Sequence, residues 1–226
     1  MTSLTTTPLA APALPAVSAD RTTRTLLAGG VIAGPLFVTV VLAQALTRDG
    51  FDPRRHPLSL LGLGDLGWIQ IADFVLAGLL FLGAAVGLRR ALHPGRGGTW
   101  GPLLVGVIGL SMVWAGVFVA DPYQGYPVGV PEQATWHGAL HNIAPALSGL
   151  AQGAACLVMA RRYAGLKRRG WAAYCVITMV AGLVLNHAAM AVGDFRLMLA
   201  GGVIAWLWVS VVIADVLTGL RPAARH

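Results

Sequence analysis

Long apolar runs, separated by short polar connections, set the pattern of this chain. Six of them, approximately Leu26–Leu46, Trp68–Leu88, Trp100–Ala120, Trp136–Ala160, Trp171–Val192 and Arg196–Leu217, come near the roughly 20 residues a helix needs to cross a bilayer. Their apolar residues are continuous rather than alternating, which disfavours barrel strands. Tryptophan opens four of the runs, as expected of indole rings at headgroup level. The pattern predicts an all-α fold, a polytopic six-transmembrane-helix bundle over residues 25–218.

Residues 1–24 are rich in Thr, Ala and Pro, with too few large apolar residues to build a core. They read as a disordered cytoplasmic tail, and 219–226 as a short second one. The first apolar run has the length of a span rather than of a signal-peptide core, so cleavage there is not expected. Pro35 and Pro145 fall inside predicted helices and would each free a carbonyl. Gly30-x-x-x-Gly34, Gly83-x-x-x-Gly87 and Gly149-x-x-x-Gly153 have the spacing that lets helices approach closely.

Composition agrees with the pattern. Hydrophobic residues make up 56% of the chain and charged ones 11%, against about 25% charged in soluble domains. The net charge of +7 does not imply nucleic acid, because the basic residues cluster between the apolar runs. Twelve of the 16 Lys and Arg fall in the tails and in the second and fourth connections; Arg48, Arg54, Arg55 and Arg196 lie on the other side. The positive-inside rule then places both termini in the cytoplasm of a plasma-membrane protein. Cys156 and Cys175 both lie in apolar runs, on the cytoplasmic side of this topology, and read as reduced packing residues.

Chemistry concentrates between Asp121 and Gln152. His137, His141, Ser148 and Gln152 are spaced by four, seven and four, a polar stripe on one helical face. Asp121 would cap the outer end of the third helix. Counting along the helices puts Asp73, His141, Asn186 and His187 in the outer half of the bilayer, near Asp121. Ionisable groups at such depth face a cavity or one another. His137 and His141 could bind a divalent metal such as zinc, with Asp121 or His187 as a third ligand and a bound water activated for hydrolysis. The plainer account gives the histidines hydrogen bonds to adjacent helices or loops. Asp73 could act as a proton carrier or general acid, for example in an isoprenoid-type reaction among the indoles of Trp114, Trp206 and Trp208. Its simpler role is a hydrogen bond to a neighbouring helix. Arg54, Arg55 and His56 could hold a lipid phosphate or serve as interfacial anchors. Asp194 and Arg196 would form a local ion pair, and Asp215 would reach the interface. No nucleotide-binding loop, redox Cys pair or hydrolase elbow is present in the sequence.

Four segments, taken in order, carry a resemblance: Phe51-Asp52-Pro53-Arg54-Arg55-His56-Pro57-Leu58-Ser59, Gly67-Trp68-Ile69-Gln70, Asp121-Pro122, and Trp136-His137-Gly138-Ala139-Leu140-His141-Asn142. Together they resemble the bacterial six-helix membrane family labelled domain of unknown function 998. The resemblance implies six membrane helices and no established reaction, and the chain departs from it at Asp73, where a neutral residue such as Asn is expected.

The leading functional expectation is binding or handling of a membrane lipid or small amphiphile at an outward polar pocket. Catalytic candidates are Asp121, His137, His141 and Asp73, and ligand-binding candidates are Arg54, Arg55, His56, Asn142, Gln152, Asn186 and His187. The alternatives are a metal-dependent membrane hydrolase using His137, His141 and Asp121, and a metal-free acid catalyst using Asp73 or Asp121 on a lipid or isoprenoid-like substrate.

Overall fold

The computed structural model describes residues 18–222. Within them, six helical paths are long and apolar enough to cross a membrane. They are α1 (Arg21–Thr47), α2 (Gly67–Leu92), α3 (Trp100–Val117), the joined pair α4 (Trp136–His141) and α5 (Ile143–Gly165), α6 (Arg169–Val192) and α7 (Phe195–Thr218). Each packs against its neighbour in the chain, and α7 closes back on α1, giving a ring of spans in sequence order. At one end Ser18–Ala19 pairs in parallel with Arg221–Pro222. An even number of crossings requires the two ends to share a side, called the terminal side here. The long connections lie on the opposite, loop side.

Helix α1 starts earlier than its apolar run suggests. Asp20 caps it by accepting from the Thr23 amide at 2.8 Å, so residues 21–24, expected in a tail, are helical. Thr23, through its side chain first and its amide second, holds the Asp20 carboxyl below its ordinary range. Residues 1–17 and 223–226 of the expected tails lie outside the described residues.

The fourth predicted helix is interrupted. Pro145 has no amide hydrogen, and its ring would collide with the carbonyl of His141, four residues back. The helix therefore divides at Asn142, whose amide bonds to the Gly138 and Leu140 carbonyls. Pro35 acts differently, because α1 continues through it. Just before it, the Ser210 hydroxyl of α7 enters the α1 ladder, accepting from the Gly34 amide at 3.0 Å and donating to the Gly30 carbonyl at 2.8 Å.

Two of the three glycine spacings face a neighbouring helix. A Cβ on Gly30 would meet Ile213, and one on Gly34 would meet the Trp206 carbonyl and Ser210, so α1 and α7 approach along this strip. Gly83 and Gly87 face Leu26 and Leu27 of α1. Gly149 and Gly153 meet nothing within 4 Å. The core runs down the α1–α2–α7 side through Phe37, Phe81 and Trp208, with the Phe37 ring 4.5 Å from Trp206 and 5.2 Å from Phe74. By contrast α6 buries only Cys175, Thr178 and Ala189. Both cysteines are buried and unpaired with each other.

A second, smaller core caps the loop side. Phe51, Leu60, Leu61 and Tyr126 pack with Ala45, joining the 48–66 connection, with its 3₁₀ turn at Leu58–Gly62, to the 118–135 connection.

Candidate functional site

The polar groups of the loop side form three clusters instead of one stripe. The first is buried between α1 and α2. Arg48, just past the end of α1, donates to Gln44 Oε1 and to the carbonyls of Leu63 (3.2 Å) and Leu66 (2.9 Å). A guanidinium can only donate, so Gln44 must turn its oxygen toward Arg48. Its Nε2 then faces inward and donates to Gln70 Oε1 at 2.8 Å. That contact consumes the oxygen of Gln70 and leaves its amide nitrogen as the end of a chain of donors. Gln70 is 0% exposed and Asp73, one turn further along α2, is 5% exposed. Gln70 Nε2 and Asp73 Oδ2 have no hydrogen-bond partner among the described residues. The helix–helix bond expected of Asp73 is thus not made by this oxygen. Leaving such groups unpaired in an apolar interior is costly, of the order of 1–3 kcal/mol each.

The second cluster ties α3 to α4. Helix α3 stops at Val117, so Asp121 does not cap it. Instead its carboxylate grips Thr135, accepting from the backbone amide at 2.8 Å and the hydroxyl at 2.6 Å. Thr135 in turn caps α4 by accepting from the Gly138 amide at 3.2 Å. Gly138 lies directly under the carboxylate, where a Cβ would overlap it. His141 is buried, and its Nδ1 donates to the Phe118 carbonyl at 2.6 Å. His137 is exposed, its ring against that of Trp136. The two histidines therefore face different surroundings. Among the described residues no three His, Cys, Asp or Glu side chains gather so as to hold a metal ion.

The third cluster is the loop cap. His56 is buried, accepts the Asp52 amide at Nδ1 (2.9 Å) and so donates from Nε2 to the Gln124 carbonyl (3.1 Å). Its ring packs with Phe51 and Tyr126. Arg54 lies 3.8 Å from Asp194, which Arg196 also holds at 2.6 Å. Arg196 beside it pulls the Asp194 carboxyl down to about 2. Arg55 is exposed.

Several candidates lie outside these clusters. Asn186 and His187 are exposed and bond to the Gly182 and Leu183 carbonyls of their own helix. Gln152 donates to Cys156 Sγ at 3.6 Å, and Asn142 is an exposed joint between helices. Asp215, expected at the interface, is held there by Arg168 at 2.6 and 2.7 Å and by the Tyr163 hydroxyl at 2.8 Å. The Arg168 guanidinium also lies over Tyr163 and Trp171.

Between the two long connections lies an open cleft of about 410 Å³, lined by Leu63, Val119, Asp121, Pro127, Thr135 and His137 among others. Leu63 belongs to both the cleft wall and the Arg48 network. Gln44 and Gln70 were missed as candidates because single neutral residues scarcely alter hydropathy. The available signal was that each lies within a spanning run, and that Gln44 precedes Arg48 by one helical turn.

No curated protein and no solved structure matches the chain significantly. A family model does match residues 31–215, from within α1 to the last turn of α7. This multi-pass membrane protein belongs to the family described as proteins of unknown function, DUF998.

Proposed function

We propose that the protein binds or moves a lipid or small amphiphile through a polar pocket in the loop-side half of its bundle, with that side facing outward. The observation that carries this reading is the pair of unpartnered, buried polar atoms on α2, Gln70 Nε2 and Asp73 Oδ2. Polar groups at membrane depth generally mark a pathway or ligand site. The apolar cleft between the long connections suits entry of a chain-bearing molecule, with Asp121, Gln133, Thr135 and His137 among the polar residues that line it. The excess of Lys and Arg on the terminal side supports the assignment of that side to the cytoplasm.

The assignment of parts differs from the one that spacing alone favours. Asp121 and His141 serve here to hold α4 against the end of α3, and the ligand-facing groups are Gln70 and Asp73, with Gln44 orienting Gln70. Asp73 also keeps the acid-catalyst reading open, because its carboxyl has an oxygen that no protein group uses.

The test is lipid analysis of protein extracted in mild detergent, comparing wild type with Gln70→Leu and Asp73→Leu. The expected result is one lipid class enriched over the bulk membrane in wild type and depleted in both folded variants. A profile matching the bulk membrane in all three samples would refute the reading.

A further inference from the structure

We infer that the group bound between Gln70 and Asp73 is a hydroxyl, so that the ligand is a hydroxyl-bearing amphiphile, an alcohol of lipid type, rather than a phosphate or an ammonium headgroup. This rests on the amphiphile-binding reading and narrows it to a chemical class.

The argument is one of hydrogen-bond direction. Arg48 fixes the orientation of the Gln44 amide, and Gln44 fixes that of Gln70. The file must therefore end on an N–H donor, and whatever lies beyond Gln70 Nε2 has to accept. Asp73, three residues on and on the same face of α2, has an unpartnered Oδ2, which as a carboxylate only accepts, so a ligand that serves both groups must also donate. A hydroxyl does both with one oxygen. The requirement for a hydroxyl belongs to the ionised carboxylate: a protonated Asp73 would donate as Gln70 does, and an ether oxygen would then serve as well.

Other headgroups fail one half of the test. An ammonium donates to Asp73 but offers Gln70 nothing to donate into. A phosphate accepts from Gln70 but confronts the carboxylate, and Arg48, the cation of this file, is not free to offset it. Arg48 is committed to Gln44 and two backbone carbonyls, and Arg54 lies at Asp194 on the surface. An ether or ester oxygen accepts but cannot donate.

The probes are three amphiphiles of one chain length: 1-decanol, its methyl ether and decyl phosphate. Each is titrated into the detergent-solubilised full chain while thermal unfolding is followed by tryptophan fluorescence, with Gln70→Leu as the control variant. Decanol is expected to raise the unfolding temperature at a concentration roughly tenfold lower than the ether, the difference one charge-assisted hydrogen bond makes. Decyl phosphate should act no better than the ether, and the decanol advantage should vanish in Gln70→Leu. If the ether or phosphate equals decanol in wild type and loses its effect in the variant, amphiphile binding stands and the hydroxyl class is overturned. If all three act alike on wild type and variant, binding at this site is overturned as well. The comparison of probes on wild type stands even if the variant does not fold.

Discussion

Gly34 and Gly149 both belong to small-residue spacings, yet alanine at each should have opposite effects. A Cβ on Gly34 would lie 2.5 Å from the Trp206 carbonyl oxygen, 2.6 Å from Ser210 Oγ and 3.0 Å from the Trp206 carbonyl carbon. Two of these are backbone atoms of a packed helix and cannot rotate away. Overpacking of this kind costs about 1–3 kcal/mol, and displacing Ser210 removes its bond to the Gly34 amide, worth about 1 kcal/mol. Alanine regains up to about 1 kcal/mol in helix propensity. The net expectation for Gly34→Ala is a loss of about 1–3 kcal/mol. Gly149→Ala meets no atom within 4 Å, so only the propensity term remains, a gain of up to about 1 kcal/mol. Reversible unfolding by sodium dodecyl sulfate in bicelles, read by tryptophan fluorescence, would measure both. Wild-type stability in Gly34→Ala, or an equal loss in Gly149→Ala, would refute the claim that α1 and α7 meet at this strip while the Gly149 face is free.

Other consequences follow from the loop and terminal sides. Asp121→Ala removes both acceptors of Thr135 and should cost about 2 kcal/mol locally, seen as faster amide exchange over residues 121–138 with the remaining spans unchanged; uniform loss of protection would contradict it. Arg168→Lys keeps the charge but loses the two-pronged contact to Asp215 and the stacking on Tyr163 and Trp171, and should destabilise by about 1 kcal/mol, whereas wild-type stability would show that the fork is dispensable. The Asp194 carboxyl, held at about 2 by Arg196, is depressed from its ordinary value near 3.8. Its contact with the start of α7 is therefore fully present above pH 3.8 and is lost as pH falls through about 2. Amide exchange of the Arg196 region across that range should show the transition in wild type and not in Asp194→Asn.

The architecture is legible in the order of residues alone, because a bilayer imposes length and continuity that hydropathy records directly. Trp100 and Val192 bound their helices as the apolar runs predict, and the other observed ends lie within a few residues of theirs. Polar residues such as Asp121 and His141 are conspicuous against apolar neighbours in the same way. Which of them work together depends on packing. His137 and His141 share one short helix but not a setting, because the Phe118 carbonyl claims the buried His141 imidazole while His137 is exposed against Trp136. Asp121 is taken by Thr135, a residue 14 positions away. Gln44 and Gln70 are 26 residues apart and neutral, so neither hydropathy nor charge marks them. Their meaning arises from packing α1 on α2, which fixes the direction of each hydrogen bond and leaves the last donor without a partner, one turn from an unshared carboxyl oxygen.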